Sequence, residues 1–296
     1  MRASSYVRRS AASTSDSEAA RSPSVARGHS SRAAVDCRVP HLRRFARSYA
    51  VNMDLVSVPF GMMEDGVTGS ALFAVPILLA GAIGCILLRR AFARAELLSE
   101  EVALAVAWVF VVGSLVWLKA FVSEAALLGF TAPWTWLAAS HFAAAGFGAL
   151  TVTALTCRVV SDARALRLLR VLLVAHPVAY LVTAAGISGF PHCNELGAVS
   201  YELIFITQLG AFVFGRPDRI ARGPRYLVAV ALFVPVGTLL FAIAWAWGSP
   251  IFDLMGMVRY HGLVNAIGHV GLGMAAFAWG RPQAHSAIRT VAHRSA

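Results

Sequence analysis

Three polar side chains recur at every fourth position in an apolar segment near the C-terminus. His261, Asn265 and His269 lie in the stretch RYHGLVNAIGH, residues 259–269. At about 100° per residue, the three drift by only about 80° around a helix and form one stripe. Because imidazole and amide groups that face lipid would be costly, we predict that the stripe faces the interior of a helix bundle. Imidazoles in such a place are suited to proton transfer or to binding a ligand.

Other ionisable residues lie at a similar predicted depth on other apolar segments, where such a residue marks a candidate functional site. From a rise of about 1.5 Å per residue, His141 and Glu202 lie roughly 10 Å from the outer ends of their helices. We predict that Glu202 is a catalytic acid or base, with His141 and His261 as its proton partners. The predicted substrate-binding residues are Asn265, Arg259, Tyr201, His269, Trp134, Lys119 and Glu124.

Each binding candidate has a functional and a structural interpretation. In the functional one, Asn265 orients a substrate oxygen and Arg259 stabilises developing negative charge. In the structural one, Asn265 bonds between helices and Arg259 anchors the chain at the interface. Lys119 can likewise snorkel to headgroups, Glu124 can be a loop charge, and Trp134 can belong to an aromatic belt. Glu202 is harder to explain structurally, because a carboxylate inside a span requires a partner or a proton.

The composition indicates which elements hold these residues. Of the 296 residues, 58% are hydrophobic and 14% are charged, whereas soluble domains average about 45–50% apolar and about 25% charged residues. Seven apolar stretches are long enough to cross about 30 Å of hydrocarbon. They lie at 70–88, 102–123, 134–157, 168–190, 196–215, 226–247 and 255–280. We therefore predict an all-α polytopic membrane protein with seven transmembrane helices in a lipid bilayer.

Pro177 and Pro235 lie inside predicted spans. A proline there removes one backbone donor and frees a carbonyl for another partner. His176 directly precedes Pro177, so a bond from its ring to a freed carbonyl is one interpretation of this histidine. A functional role in the site is the other.

The arginines predict the orientation of the bundle. Fourteen arginines, among them Arg94, Arg158 and Arg170, lie in the connections after the first, third and fifth spans and in the C-terminal tail. The positive-inside rule therefore predicts a cytoplasmic C-terminus and an N-terminus outside. This topology also accounts for the net charge of +11, so we predict no nucleic-acid partner.

The chain is predicted to have three parts. Residues 1–66 form a disordered basic leader and outer segment, 67–282 the seven-helix domain, and 283–296 a short cytoplasmic tail. Residues 1–52 hold ten arginines and no long apolar run, so this segment cannot bury enough surface to fold. Those arginines conflict with an external N-terminus. Either residues 1–52 are absent from the mature protein, or the first span is misplaced.

Two sequence blocks carry a family resemblance. HFAAAGF at 141–147 and RYHGLVNAIGH at 259–269 resemble characteristic blocks of the YndJ-like bacterial membrane proteins. The resemblance covers most of 70–280 and excludes the leader of residues 1–52. It implies a multi-pass protein of the cell membrane, the inner membrane in a bacterium, with His141, His261 and Asn265 inside the blocks. It implies no established reaction, and some members are labelled transporters.

Several classes of function are compatible with these residues. The first is an enzyme with an outward-facing intramembrane pocket that performs non-redox acid–base chemistry on a lipophilic small molecule, such as isomerisation, cyclisation or epoxide opening. The second is a small-solute transporter or a ligand-binding membrane protein. The third is a haem or metal protein with ligands among His141, His176, His261 and His269. Since no CxxCH or HExxH motif occurs, we predict no cofactor and no metal. A membrane scaffold without chemistry is the remaining alternative.

Overall fold

A computed structural model describes residues 66–283, and every regular element in this range is a helix. Seven helices in this range are long and apolar enough to cross a membrane, which confirms the predicted fold class. They are α1 (Gly66–Phe92), α2 (Ser99–Val122), α3 (Trp134–Val159), α4 (Ala163–Ile187), α5 (Cys193–Phe214), α6 (Arg222–Ala246) and α7 (Leu254–Gly280). The protein is therefore a multi-pass membrane protein. The leader and the tail, apart from their boundary residues, lie outside the described range, and the orientation stays a prediction.

Helix α3 is the centre of the bundle and packs against α2, α4 and α7. Leu150, Val152, Ala154 and Cys157 on this helix are almost completely buried. Gly148 faces Val270 of α7 so closely that a Cβ atom would overlap the valine side chain. Small residues at such positions allow helix backbones to approach each other in a membrane, where dispersion contacts rather than water exclusion hold helices together. Helix α1, by contrast, lies at the edge of the bundle, against α2.

Glycines allow helices α4 and α5 to pack closely. A Cβ atom at Gly186 would overlap the backbone nitrogen of Asn194, and one at Gly197 would overlap the side chain of Thr183. Backbone atoms cannot rotate away as a flexible side chain can, so Gly186 is the less tolerant of the two positions.

We expect Gly186→Ala to lower the stability of the folded protein by about 1–3 kcal/mol, the usual cost of overpacking a core. Gly210→Ala on α5 is the matched control, because a Cβ atom there meets open space. Thermal unfolding of both variants in the same detergent measures the difference. Equal midpoints for the two variants would contradict the close α4–α5 packing.

One end of the bundle is tied by ion pairs that join α2 to α3 and α4. Arg158 places Nη2 2.6 Å from Oε1 of Glu101, and Arg94 reaches Oε2 of the same carboxylate at 3.6 Å. Arg170 places Nε 3.3 Å from Oε2 of Glu100, whose side chain is 0% exposed. These arginines, which the sequence analysis used only to predict topology, therefore also have partners within the protein.

The connections α3–α4 and α5–α6 meet at this same end. The backbone nitrogens of Ser161 and Asp162 donate to the carbonyls of Arg216 and Gly215. Asp162 caps α4, because its carboxylate accepts from the backbone N–H groups of Arg164 and Ala165. These hydrogen bonds stabilise the charged carboxylate and hold the pKa of Asp162 below its usual value of 3.8. The bond from Ala165 has the larger effect.

Candidate functional site

His261, Asn265 and Thr238 form one hydrogen-bonded cluster between α6 and α7. The Nδ1 atom of His261 lies 3.0 Å from the carbonyl oxygen of Thr238. A carbonyl can only accept, so Nδ1 carries the proton and Nε2 keeps the lone pair of the neutral ring. The Thr238 hydroxyl donates to Oδ1 of Asn265 at 2.9 Å. Asn265 Nδ2 donates to the carbonyl of His261 at 2.9 Å; its 3.4 Å approach to Nδ1 of His261 joins two donors and is only a contact.

His269 lies two turns deeper on the same helix and also bonds to α6. Its Nδ1 atom donates to the carbonyl of Ala231 at 2.8 Å. Ala231 precedes Pro235 by four residues, so this carbonyl has lost the N–H that would pair with it in a regular helix. His269 thus satisfies the backbone acceptor that Pro235 leaves free. The freed carbonyl that Pro235 predicts on α6 therefore has a histidine partner, His269.

This pairing predicts an interaction between two substitutions. His269→Leu should destabilise the protein by about 1 kcal/mol, because the Ala231 carbonyl loses its buried donor. In a Pro235→Ala background, the N–H restored at position 235 can serve that carbonyl. The same His269→Leu substitution should then cost less, with a coupling of about 0.5–1 kcal/mol. Chemical unfolding of the wild-type protein, the two single variants and the double variant completes this double-mutant cycle. Strictly additive effects would contradict the bond between His269 and the Ala231 carbonyl.

The two blocks that carry the family resemblance are also the sites of wide helical turns. Phe142–Gly148 in α3, and Val258–Leu263 and Asn265–Gly271 in α7, are π-helical. Such turns bond from i to i+5 and occur frequently at functional sites. A π-helical turn contains more residues than an α-helical turn. Side chains four residues apart are therefore rotated less from one another around the helix axis. The stripe on α7 is therefore straighter than an α-helix would make it.

A second polar network lies in the core, between α3, α4 and α5. His176 Nε2 is 2.9 Å from the hydroxyl of Thr153. That hydroxyl donates to the carbonyl of Ala149 at 2.9 Å or to Oε1 of Gln208 at 3.2 Å. Gln208 in turn donates to the hydroxyl of Thr156 at 3.4 Å. His176 therefore bonds to a side chain of α3 and not to a carbonyl freed by Pro177.

The other predicted residues fall into buried and exposed groups. Glu202 is 9% exposed, and its Oε2 atom has no hydrogen-bond partner among the described residues. His141 is exposed and bonds through Nδ1 to the carbonyl of Leu137 on its own helix at 2.9 Å. The hydrogen bonds of the described residues do not join Glu202 to either histidine.

The remaining binding candidates line the surface rather than the core. Arg259 and Glu124 are exposed, and Lys119 and Trp134 are half-buried. Tyr201 is the exception: it is 7% exposed, and its ring lies 5.8 Å from that of His176.

Sequence reasoning missed Thr238, Thr153 and Gln208. Hydroxyl and amide side chains are common as neutral bonds between membrane helices, so their type alone does not mark a site. The signal that could have found Ala231 is Pro235, because the carbonyl four residues before an internal proline is known from the sequence.

Comparison with known proteins gives one family match. The family model described as YndJ-like protein matches residues 47–269, which is most of the chain. The chain belongs to the YndJ-like family. The match contains both blocks that suggested the resemblance and ends at His269. It begins at residue 47, so the part of the leader from 47 to 52, which the sequence analysis placed outside the resemblance, lies within the YndJ-like region. Searches of curated proteins and of solved structures returned no match.

Proposed function

We propose that this YndJ-like protein is a membrane-embedded enzyme that performs non-redox acid–base chemistry on a lipophilic small molecule. The observation that supports this proposal is the fixed imidazole of His261. Its N–H is committed to the Thr238 carbonyl at 3.0 Å, so Nε2 is an acceptor, and the ring is only partly buried. A histidine oriented through one nitrogen, with the other open, is the usual arrangement of a general base.

The proposed roles follow from the surroundings of each residue. His261 accepts a proton from the substrate through Nε2, and His141 exchanges that proton with solvent or headgroups. Glu202 supplies or removes the second proton, because its Oε2 has no partner among the described residues. Asn265 holds His261 in place and orients a substrate oxygen with its remaining N–H. The reactions within reach are isomerisation, cyclisation and epoxide opening.

The pocket is proposed to open toward the outer face, with the C-terminus in the cytoplasm of the cell. Arg259 would stabilise negative charge that develops on the substrate. Tyr201, His269, Trp134, Lys119 and Glu124 complete the proposed binding surface. This placement depends on the arginine distribution, and the cell membrane is the proposed location.

The experiment that tests the proposal is conversion in detergent. Purified protein is incubated with a lipid extract of its host, and products are followed by chromatography with mass spectrometry. An isomer of equal mass, or a product that has gained water, supports the enzyme. An unchanged extract, tested across the lipids of the host, contradicts it.

A second candidate is a small-solute transporter, favoured by a different observation. Polar groups continue from the outer cluster to His269, His176 and Gln208 in the middle of the bundle, deeper than a one-sided active site requires. Accumulation of a solute in proteoliposomes that depends on a proton gradient would support this function. Conversion without any gradient supports the enzyme.

A further inference from the structure

The protonation pattern of His176 depends on which atom accepts the proton of the Thr153 hydroxyl. The Thr153 hydroxyl has a single proton, and both other oxygens that it contacts, the carbonyl of Ala149 at 2.9 Å and Oε1 of Gln208 at 3.2 Å, are acceptors. When the hydroxyl donates to either of these oxygens, it cannot also donate to His176, and the ring nitrogen Nε2 is then the donor in the 2.9 Å contact. In a neutral ring Nδ1 then carries the lone pair.

The protonation pattern of His269 is fixed by the Ala231 carbonyl. Nδ1 donates to that oxygen at 2.8 Å, so Nε2 carries the lone pair. The two histidines are 1% and 2% exposed. Nδ1 of His176 and Nε2 of His269 are both buried without a partner among the described residues. Each is therefore an acceptor that faces the protein interior and lacks a donor.

The rings of both histidines contact the same aromatic side chain, Phe205. The ring centroid of Phe205 is 5.3 Å from that of His176 and 5.0 Å from that of His269. Tyr201 stacks on Phe205 at 6.1 Å, and its hydroxyl is also buried without a partner among the described residues. Three such polar atoms around one phenylalanine, from α4, α5 and α7, are more than a packed core normally tolerates.

We infer that α4, α5 and α7 enclose a binding site, beside Phe205, for a small neutral molecule that donates hydrogen bonds to Nδ1 of His176 and Nε2 of His269. Both nitrogens accept only, so a ketone, an ether or an anion finds no donor there, whereas an O–H or N–H group finds an acceptor. Aromatic rings form the rest of the wall. The described residues contain no group of three or more His, Cys, Asp or Glu side chains that could hold a metal ion, and the inference is made for a neutral donor.

The donor can be a water molecule or the hydroxyl of an organic ligand, and the two share the same chemistry. The site shares Tyr201 and His269 with the proposed binding surface but does not include His261, and it needs no turnover there. It stands if the protein is no enzyme, and it falls if either histidine has the opposite tautomer.

Solid-state ¹⁵N NMR of the full chain, uniformly labelled and reconstituted in bilayers of host lipid, tests the inference. Sequential assignment identifies the two rings without variants that risk misfolding. We expect protons on Nε2 of His176 and Nδ1 of His269. We also expect both remaining nitrogens to shift upfield from the position of a free lone pair, because each accepts a hydrogen bond. A free-lone-pair position for either nitrogen, a metal-type shift, or the opposite tautomer would overturn it.

The same sample shows whether the hydrogen-bond donor is water or an organic ligand. Magnetisation transfer from water protons to the two rings identifies a bound water. Correlations to carbons that belong to neither protein nor lipid identify an organic ligand, which mass spectrometry of the extract can then name. Thr153→Val serves as a control of the premise: it removes the acceptor of His176 and should change only the signals of that ring, leaving those of His269 in place. A change confined to His269 would contradict the assigned network.

Discussion

The double variant Glu202→Gln, His261→Ala is expected to lose at least about 100-fold of its turnover relative to the wild-type protein. One positioned general acid or base commonly contributes about 10²–10⁴-fold to a rate, and the variant removes both proposed groups. A loss of 100-fold corresponds to about 2.7 kcal/mol of transition-state stabilisation. Product formation from the host lipid extract, measured at equal amounts of folded protein, gives the ratio.

The matched control is Glu195→Gln, His192→Asn at the start of α5. It removes one carboxylate and one imidazole outside the proposed site, and asparagine tolerates the left-handed backbone of His192, where φ is 61°. The control should keep the wild-type rate. Wild-type turnover by the Glu202 and His261 variant would eliminate the catalytic assignment. An equal loss in both double variants would show a general effect on the fold instead.

Arg170→Met is expected to destabilise the folded protein by about 3 kcal/mol, the lower end of the range for breaking a buried ion pair. The carboxylate of Glu100 is 0% exposed and would lose the guanidinium that now faces it at 3.3 Å. The lower end applies because Arg170 is itself 35% exposed, so water can partly replace it. Apparent melting temperature in detergent is the measurement.

Arg167→Met on the same helix is the control, because Arg167 is exposed and its loss should change stability by less than about 0.5 kcal/mol. Adding Glu100→Gln to Arg170→Met should recover most of the lost stability, since the unpaired charge is then absent. If Arg170→Met melts like Arg167→Met, the ion pair contributes nothing and these arginines serve topology alone.

The helices were predictable from the sequence because membrane solvation acts locally. A run of about 20 apolar residues must be helical in hydrocarbon, whatever its neighbours are, since each backbone polar group needs an internal partner. The spans of α2 and α3, for example, were predicted at 102–123 and 134–157 and found at Ser99–Val122 and Trp134–Val159. The ends shift by a few residues because capping and the last turn depend on the loops.

The candidate site was only partly predictable. The spacing of His261, Asn265 and His269 placed them on one face, because periodicity is a property of one helix. Their partners on α6, Thr238 and the Ala231 carbonyl, were not predictable. Which helix lies opposite a given face depends on packing among all seven, and an ordinary threonine carries no signal of its own.

By itself, the sequence of this chain determined the number of membrane-spanning helices, the polar stripe on the last of them and the family blocks that contain it. Only the tertiary structure decided which nitrogen of His261 and of His269 holds a proton, since that depends on carbonyls supplied by another helix. It also gave several arginines acidic partners, and it left one ring nitrogen of His176 and one of His269 buried without a partner among the described residues. The physical reason is the same in each case: apolar length and helical period act along the chain, whereas hydrogen bonds and ion pairs require atoms that folding brings together.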